Sequence, residues 1–193
     1  MQKSNWTWHD ATGTDVPEIK DLAVAWFQSE IHDIFTPDPI AYMRNVTQAL
    51  VLQYYNPLSE LIKVAKDSSG RIVAYVWAGR GERALWSDQE MIVIKMVHVD
   101  LSLGPRQRIA LIREMIMLWE LWARDCGVPV ICSTTMRGDQ TAFLRIHTQM
   151  GYDVRGSYAY KRLEADMAGS ANSHDALEGK QQNLQVSPTP QAA

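Results

Sequence analysis

Apolar residues recur along the chain in two alternating rhythms, and these lay out the elements. "NWTWHDAT" alternates weakly and predicts a first strand. In "TDVPEIKDLAVAWFQSEI" the residues Ile19, Leu22, Ala23, Trp26 and Phe27 fall at helical spacing, with Thr14 or Asp15 as cap and a proline in the first turn. "FTPDP" breaks this helix, and "IAYMRNVTQALVLQYY" predicts a second. "SELIKVAKDSSGRIVAYVWAGRGERAL" reads as two strands about a turn at Asp67–Gly70, an antiparallel hairpin. Residues 90–100, "EMIVIKMVHVD", are apolar enough for a central strand. A short turn leads into a long helix from Pro105 to Asp125 that Gly127 ends. "VPVICSTT" predicts a strand, "DQTAFLRIHTQM" a short helix and "YDVRGSYAYKRL" a last strand. The order β-α-α-β-β-β-α-β-α-β is an α/β chain built on a mixed sheet with helices on its faces.

From Glu164 onward large apolar residues almost vanish and Ala, Ser, Asn, Gln and Pro take over. Such a stretch buries too little surface to offset its ordering entropy. The expectation is one domain over residues 1–163 and a disordered tail over 164–193. No internal repeat is visible. The run Ile109–Ala123 is apolar nearly all round, with Arg113, Glu120 and Arg124 as a thin polar stripe, which predicts a helix buried between sheet and neighbours. The sharper alternative is a surplus apolar face for self-association. Arg113, Glu114 and Glu120 break the run and exclude a membrane span.

A net charge of −3 over 193 residues gives no basic excess for a nucleic-acid surface. The two cysteines, Cys126 and Cys132, lack metal-ligand spacing, so no metal site is expected and a reduced intracellular protein is. The N-terminus has no apolar core of the kind a signal peptide needs. The expectation is a soluble, cytoplasmic protein. "GRGER" at Gly79–Arg83 predicts a turn or bulge, since no helix follows it to make a nucleotide loop.

The junction "VHVDLSLGPRQRIALIREM", residues 97–115, joins strand to helix, where free amides and the positive helix end attract anions. With "VPVICSTT" and "DQTAFLRIHTQMGYDVRGSYAYKRL" after it, the chain resembles the GNAT superfamily of acyl-CoA-dependent N-acetyltransferases over roughly residues 5 to 163. The resemblance implies that the sheet splays between the strands at 91–100 and 128–135. Acetyl-CoA then lies with its pantetheine arm along Val97, His98 and Val99, and its pyrophosphate on the turn Leu103–Arg108, which includes Gly104. "STT" at Ser133–Thr135 falls where the resemblance implies that the coenzyme passes, and ordinary strand-end polarity explains it equally well. The resemblance implies a small-molecule or peptide amine as acceptor.

The family's turn reads Gln or Arg, two variable residues, Gly, one variable residue, then Gly or Ala. Here Leu103, Arg106 and Arg108 stand at those positions, and all three depart from the pattern. Two readings stay open: an anion site made of guanidinium groups, or solvated arginines in a turn without a ligand. The family's thiolate-protonating tyrosine falls on His147, at the edge of the inward stripe Phe143, Ile146 and Met150, and imidazole can serve as general acid. For the general base the sequence offers Glu90, with Asp88, Glu30 and His98 as further options; alternation puts His98 and Met96 on the face opposite Val97 and Val99. A fainter likeness links "STTMRGDQTAF…GY…RGSYAYKRL" to GNAT-like proteins of tailed phages. It implies a non-catalytic binding or structural module, in the host cytoplasm or virion, with a virion partner or a second copy of itself.

Overall fold

The computed structural model describes residues 5–30, 34–85, 87–136 and 140–156. Among the described residues five strands form one sheet in the order β1-β2-β3-β4-β5: β1 Trp6–Asp10, β2 Glu60–Asp67, β3 Ile72–Arg83, β4 Glu90–Val99 and β5 Val130–Ser133. All neighbours are antiparallel except β4 and β5, which are parallel. That pair needs a crossover, and the helix α3, Pro105–Asp125, supplies it. The other helices are α1 Val16–Glu30, α2 Pro39–Tyr55 and α4 Thr141–Gln149. The predicted order thus holds through its ninth element. Of the predicted last strand, residues 152–156 form no strand and 157–163 lie outside the described residues, as does the tail.

Alternation along the strands divides the core in two. On one face Leu61, Ala74, Val76, Ala78, Ile92, Ile94 and Val99 pack against Leu111, Met115, Ile116 and Trp119 of α3. On the other, Ile62, Val64, Ile72 and Tyr75 pack against Ile19 and Ala23 of α1 and Val46, Ala49 and Leu50 of α2. α1 begins at Val16, directly after Asp15, one of the two predicted caps, and a short 3-10 turn over Gly13–Asp15 precedes it. Thr12 caps that turn, and the buried Asp15 accepts from its amide and hydroxyl, both at 2.8 Å.

The long helix corrects the expectation that it is buried all round. Met117 and Leu121 are 53% and 55% exposed. A helix laid on one face of a sheet buries a single stripe, and its outer side meets water unless a further layer covers it. Glu114, which interrupts the apolar run, is the acceptor for two indoles: Trp6 Nε1 and Trp8 Nε1 both donate to its Oε2, at 2.7 and 2.8 Å. This joins β1 to α3. Trp119 donates to the Tyr152 hydroxyl at 2.7 Å and Trp122 to the Pro57 carbonyl at 2.8 Å, so buried indoles cross-link the molecule without orphaned N–H groups.

"GRGER" forms a bulge, as predicted. The β3–β4 register slips between Arg80 and Glu82, and Gly81 takes φ +106°, a conformation that favours glycine.

Candidate active site

The sheet forks at β4. Its ladder with β5 runs from Met91↔Val130 to Ile94↔Ser133 and stops there, although β4 continues five residues further to Val99. A second β3–β4 register slip falls at the same place: Trp77 pairs with Met96 and Ala78 with Ile94, leaving Lys95 as the extra residue of a bulge. A bulge bends its strand and disturbs pairing, and β5 itself ends at Ser133, so the ladder stops here while β4 runs on. The Lys95 ammonium is anchored on the buried Glu60 at 2.7 Å and lies 5.3 Å from the Trp77 ring centroid. Glu60 also accepts from Trp77 Nε1 at 2.7 Å.

Beyond the fork, β4 presents main-chain groups to the side β5 has left. Asp100 N–H donates to the Val73 carbonyl at 2.8 Å, so antiparallel alternation turns the N–H and C=O of Val99 away from β3, and with them those of Val97. One of these groups is already engaged: Trp26 Nε1 of α1 donates to the Val99 carbonyl at 2.9 Å, in a buried setting. His98 points to the opposite face, as alternation requires. It stacks on Trp26 at 6.2 Å, meets Phe27 edge-on, and its Nδ1 lies 2.5 Å from the Tyr75 hydroxyl. Tyr75 in turn makes a short hydroxyl–hydroxyl bond with Tyr42. Burial raises the pKa of both phenols, keeping them neutral donors.

The turn after β4 is built by Asp100. Its carboxylate accepts from Ser102 N–H at 2.8 Å and pairs with Arg71, and Leu103 N–H donates back to the Asp100 carbonyl at 3.2 Å. Burial alone would raise the Asp100 pKa, but Ser102 and Arg71 together hold it below the usual carboxylate value. Leu103 packs against the core. Gly104 caps α3 at φ −63°, a conformation open to any residue, and a Cβ there would meet only Gln107 Oε1 at 3.7 Å. Nothing in the protein itself demands glycine at this point. Arg106 is exposed in the first turn. Arg108 is half-buried, and its Nε is buried without a hydrogen-bond partner. Between α3 and α4 runs a groove of about 220 Å³, lined by Ile109, Arg113, Ala142, Arg145, Ile146 and Gln149, where Arg113 donates to Gln149 Oε1 at 2.8 Å.

His147 lies in the buried stripe rather than at its edge, 3% exposed. Its ring stacks on Trp119 and packs on Phe143 and Tyr152. Nδ1 is 3.0 Å from the Phe143 carbonyl and Nε2 is 3.0 Å from Ser133 Oγ, so the helix directs the imidazole onto the end of β5, beside the fork.

Other candidates are not brought to this place. Glu90 opens β4, seven residues before Val97, or roughly 20 Å at the usual strand rise. Arg80 Nε pairs with it at 2.8 Å and holds its carboxyl below the ordinary value, the wrong direction for a base near neutrality. Asp88 is exposed in the preceding loop. The Glu30 side chain lies outside the described part. Sequence reasoning missed Trp26, Tyr75 and the Lys95–Glu60 pair, and treated Ser133 only as part of a polar strand end.

No family model matches the chain, and no curated protein matches it in sequence. Solved structures match its fold. The acetyltransferase AAC(6')-Iy, in complex with the bisubstrate analogue CoA-S-monomethyl-acetylneamine, is 15% identical at a TM-score of 0.63, covering 83% of this chain and 99% of its own. The aminoglycoside 6'-N-acetyltransferase AAC(6')-Ih of Acinetobacter baumannii and glucosamine-6-phosphate N-acetyltransferase of Arabidopsis thaliana are each 12% identical at a TM-score of 0.59, covering 82% of this chain and 99% of theirs. The fold of this chain is that of the GNAT N-acetyltransferases. No helix among the described residues is long and apolar enough to cross a membrane.

Proposed function

We propose that the protein is an N-acetyltransferase that takes acetyl-CoA as donor and a small-molecule amine as acceptor. The observation that carries this reading is the fork: β4 runs on past its last pairing with β5 and turns the N–H groups of Val97 and Val99 and the Val97 carbonyl toward the space between the strands. An extended amide-bearing chain such as pantetheine can satisfy such groups as an extra strand would. Trp26 holds the Val99 carbonyl, which leaves fewer acceptors than a bare strand offers.

The residues around the turn fit a phosphorylated donor. The buried, unpartnered Nε of Arg108 asks for an acceptor. Cations at a helix N-terminus oppose its dipole by about 0.3–1 kcal/mol each, and an anion bound between them reverses that sign. Arg106 and Arg108 would hold the pyrophosphate with the first amides of α3, and Arg113 and Arg145 would face the nucleotide end. The donor supplies an activated acyl group; the chain supplies its seat and orientation. The acceptor class is drawn from the proteins that share the fold, which act on amino sugars and aminoglycosides by name.

Thermal unfolding in the presence of acetyl-CoA tests the reading. Binding to the native state raises stability by about 2.7 kcal/mol at a hundredfold excess over Kd. A melting temperature that climbs with coenzyme concentration supports an acetyltransferase. No shift at millimolar acetyl-CoA overturns it.

A further inference from the structure

Lys95 is the one lysine or arginine in β4, and it sits at the apex of the fork. It is the extra residue of the bulge, and Ile94 before it makes the last pairing with β5. Its side chain crosses the face of the sheet that α1 and α2 cover, beside Trp77 and Met96. Glu60 comes from β2 to meet its ammonium at 2.7 Å. They meet above β3, where Gly79 pairs with Glu60. Any Cβ at position 79 would collide with Cε and Nζ of Lys95, so glycine is what lets the lysine lie there.

Stability alone does not call for this arrangement. Glu60 is only 7% exposed, and a buried ion pair can often be exchanged for apolar residues with no loss. Yet three positions on three strands are given over to the pair. The Lys95 side chain also stays 35% exposed, open to the solvent on the cleft side of the sheet's paired part. An accessible amine with a carboxylate in contact to take its proton has what an acyl acceptor needs.

We infer that Lys95 is itself an acetyl acceptor, and that the protein modifies this residue at the apex of its own cleft. The inference rests on acetyl-CoA as donor. A donor with its phosphates at the turn after Val99 and its arm along Val99 and Val97 carries its thioester to the other end of the open stretch, beside Met96 and Lys95. Lys95 already spans one strand spacing, about 4.8 Å, to lie over β3. Rotation about its side-chain bonds carries it as far the other way, over the gap. Glu60 first takes one proton from the ammonium. Nζ then bonds to the thioester carbonyl carbon, the C–S bond breaks, and the departing thiolate takes a second proton from the nitrogen. The products are N-acetyl-lysine and CoA, and the proton on Glu60 passes to solvent.

The test reads binding and transfer separately. Full-length protein is mixed with acetyl-CoA and no added amine. Its melting temperature is read at once, and its intact mass and peptides are followed over time. The same protein unfolded in urea, with every lysine equally open, gives the background of uncatalysed transfer. One acetyl group on Lys95, gained above that background at a rate that saturates with acetyl-CoA, supports the inference. The group should be absent from Lys95→Arg and gained about a hundredfold more slowly in Glu60→Gln. Saturation and the comparison with unfolded chain use wild-type protein, so they decide the matter even where Glu60→Gln does not fold. A melting shift with no acetyl group on Lys95, or with Lys20, Lys63 and Lys66 modified as fast, overturns the inference and leaves the acetyltransferase reading standing. No shift and no acetylation overturns that reading, and the inference with it.

Discussion

Replacing His147 by Phe separates the energetics of this buried imidazole from the rest of the molecule. The phenyl ring keeps the packing on Trp119 and Phe143 but removes both the acceptor of the Ser133 hydroxyl and the N–H given to the Phe143 carbonyl, a net loss of about 1–3 kcal/mol near pH 7.5. The pH dependence narrows the difference at lower pH. Burial lowers the pKa of the folded ring, more than the Phe143 carbonyl raises it, whereas the unfolded ring titrates near ~6.5. Below that value the unfolded chain binds a proton the native state refuses, so wild-type stability falls as pH falls, by up to about 1.4 kcal/mol per unit until the folded ring itself titrates. Between pH 7.5 and 5.5 the wild type therefore loses up to about 1.4 kcal/mol that the variant keeps. The rings packed on His147 do not interfere, since burial pushes the Tyr152 phenol up to about 12 and the others do not ionise. Asp15, Asp67, Asp100 and Glu90, all held low, are common to both proteins and cancel. Urea unfolding followed by tryptophan fluorescence at pH 7.5, 6.5 and 5.5 should show the variant less stable at the top of the range, with the gap to wild type narrowed by up to about 1.4 kcal/mol at the bottom. Parallel curves would refute the neutral, buried imidazole.

Three further outcomes follow from particular contacts. Glu114→Ala strips the shared acceptor from two part-buried indoles and should cost about 2–4 kcal/mol in chemical denaturation, against about 1 for Trp6→Phe; equal losses would contradict the shared bond. Gly81→Ala should cost about 1–2 kcal/mol through its φ of +106°, a loss that a thermal melt will show and that a null result would deny. Arg108→Met should leave stability intact, since its Nε has no protein partner to lose, while weakening acetyl-CoA about tenfold by calorimetry; unchanged affinity would remove Arg108 from the phosphate seat.

The topology was legible because each element wrote its own period. Ile19, Ala23 and Trp26 kept helical spacing, and the hairpin carried its turn at Asp67–Gly70. The fork left a trace too, though a subtle one. Inward residues of β4 fall at 92 and 94, then at 97 and 99, and that one-residue slip around Lys95, the single cation in an apolar strand, is the bulge itself. What the sequence could not show are contacts between distant segments. Trp26 reaches Val99 across 73 positions and Trp6 reaches Glu114 across 108, and no local pattern encodes either. Glu90 misled for the same reason: an acid at a strand end looks alike whether it faces a cleft or, as here, an arginine on the next strand. The outer side of α3 misled because its apolar residues exceed what one sheet face can cover.

Amide chemical shifts of ¹⁵N-labelled protein, recorded as acetyl-CoA is added, address the fork most directly. The outward N–H groups of Val97 and Val99 and those of Arg106 to Arg108 should move together and saturate, while Ile92 and Ile94, still zipped to β5, stay nearly still. Shifts confined to exposed arginines, with Val97 and Val99 unmoved at saturation, would mean that no ligand enters between the strands.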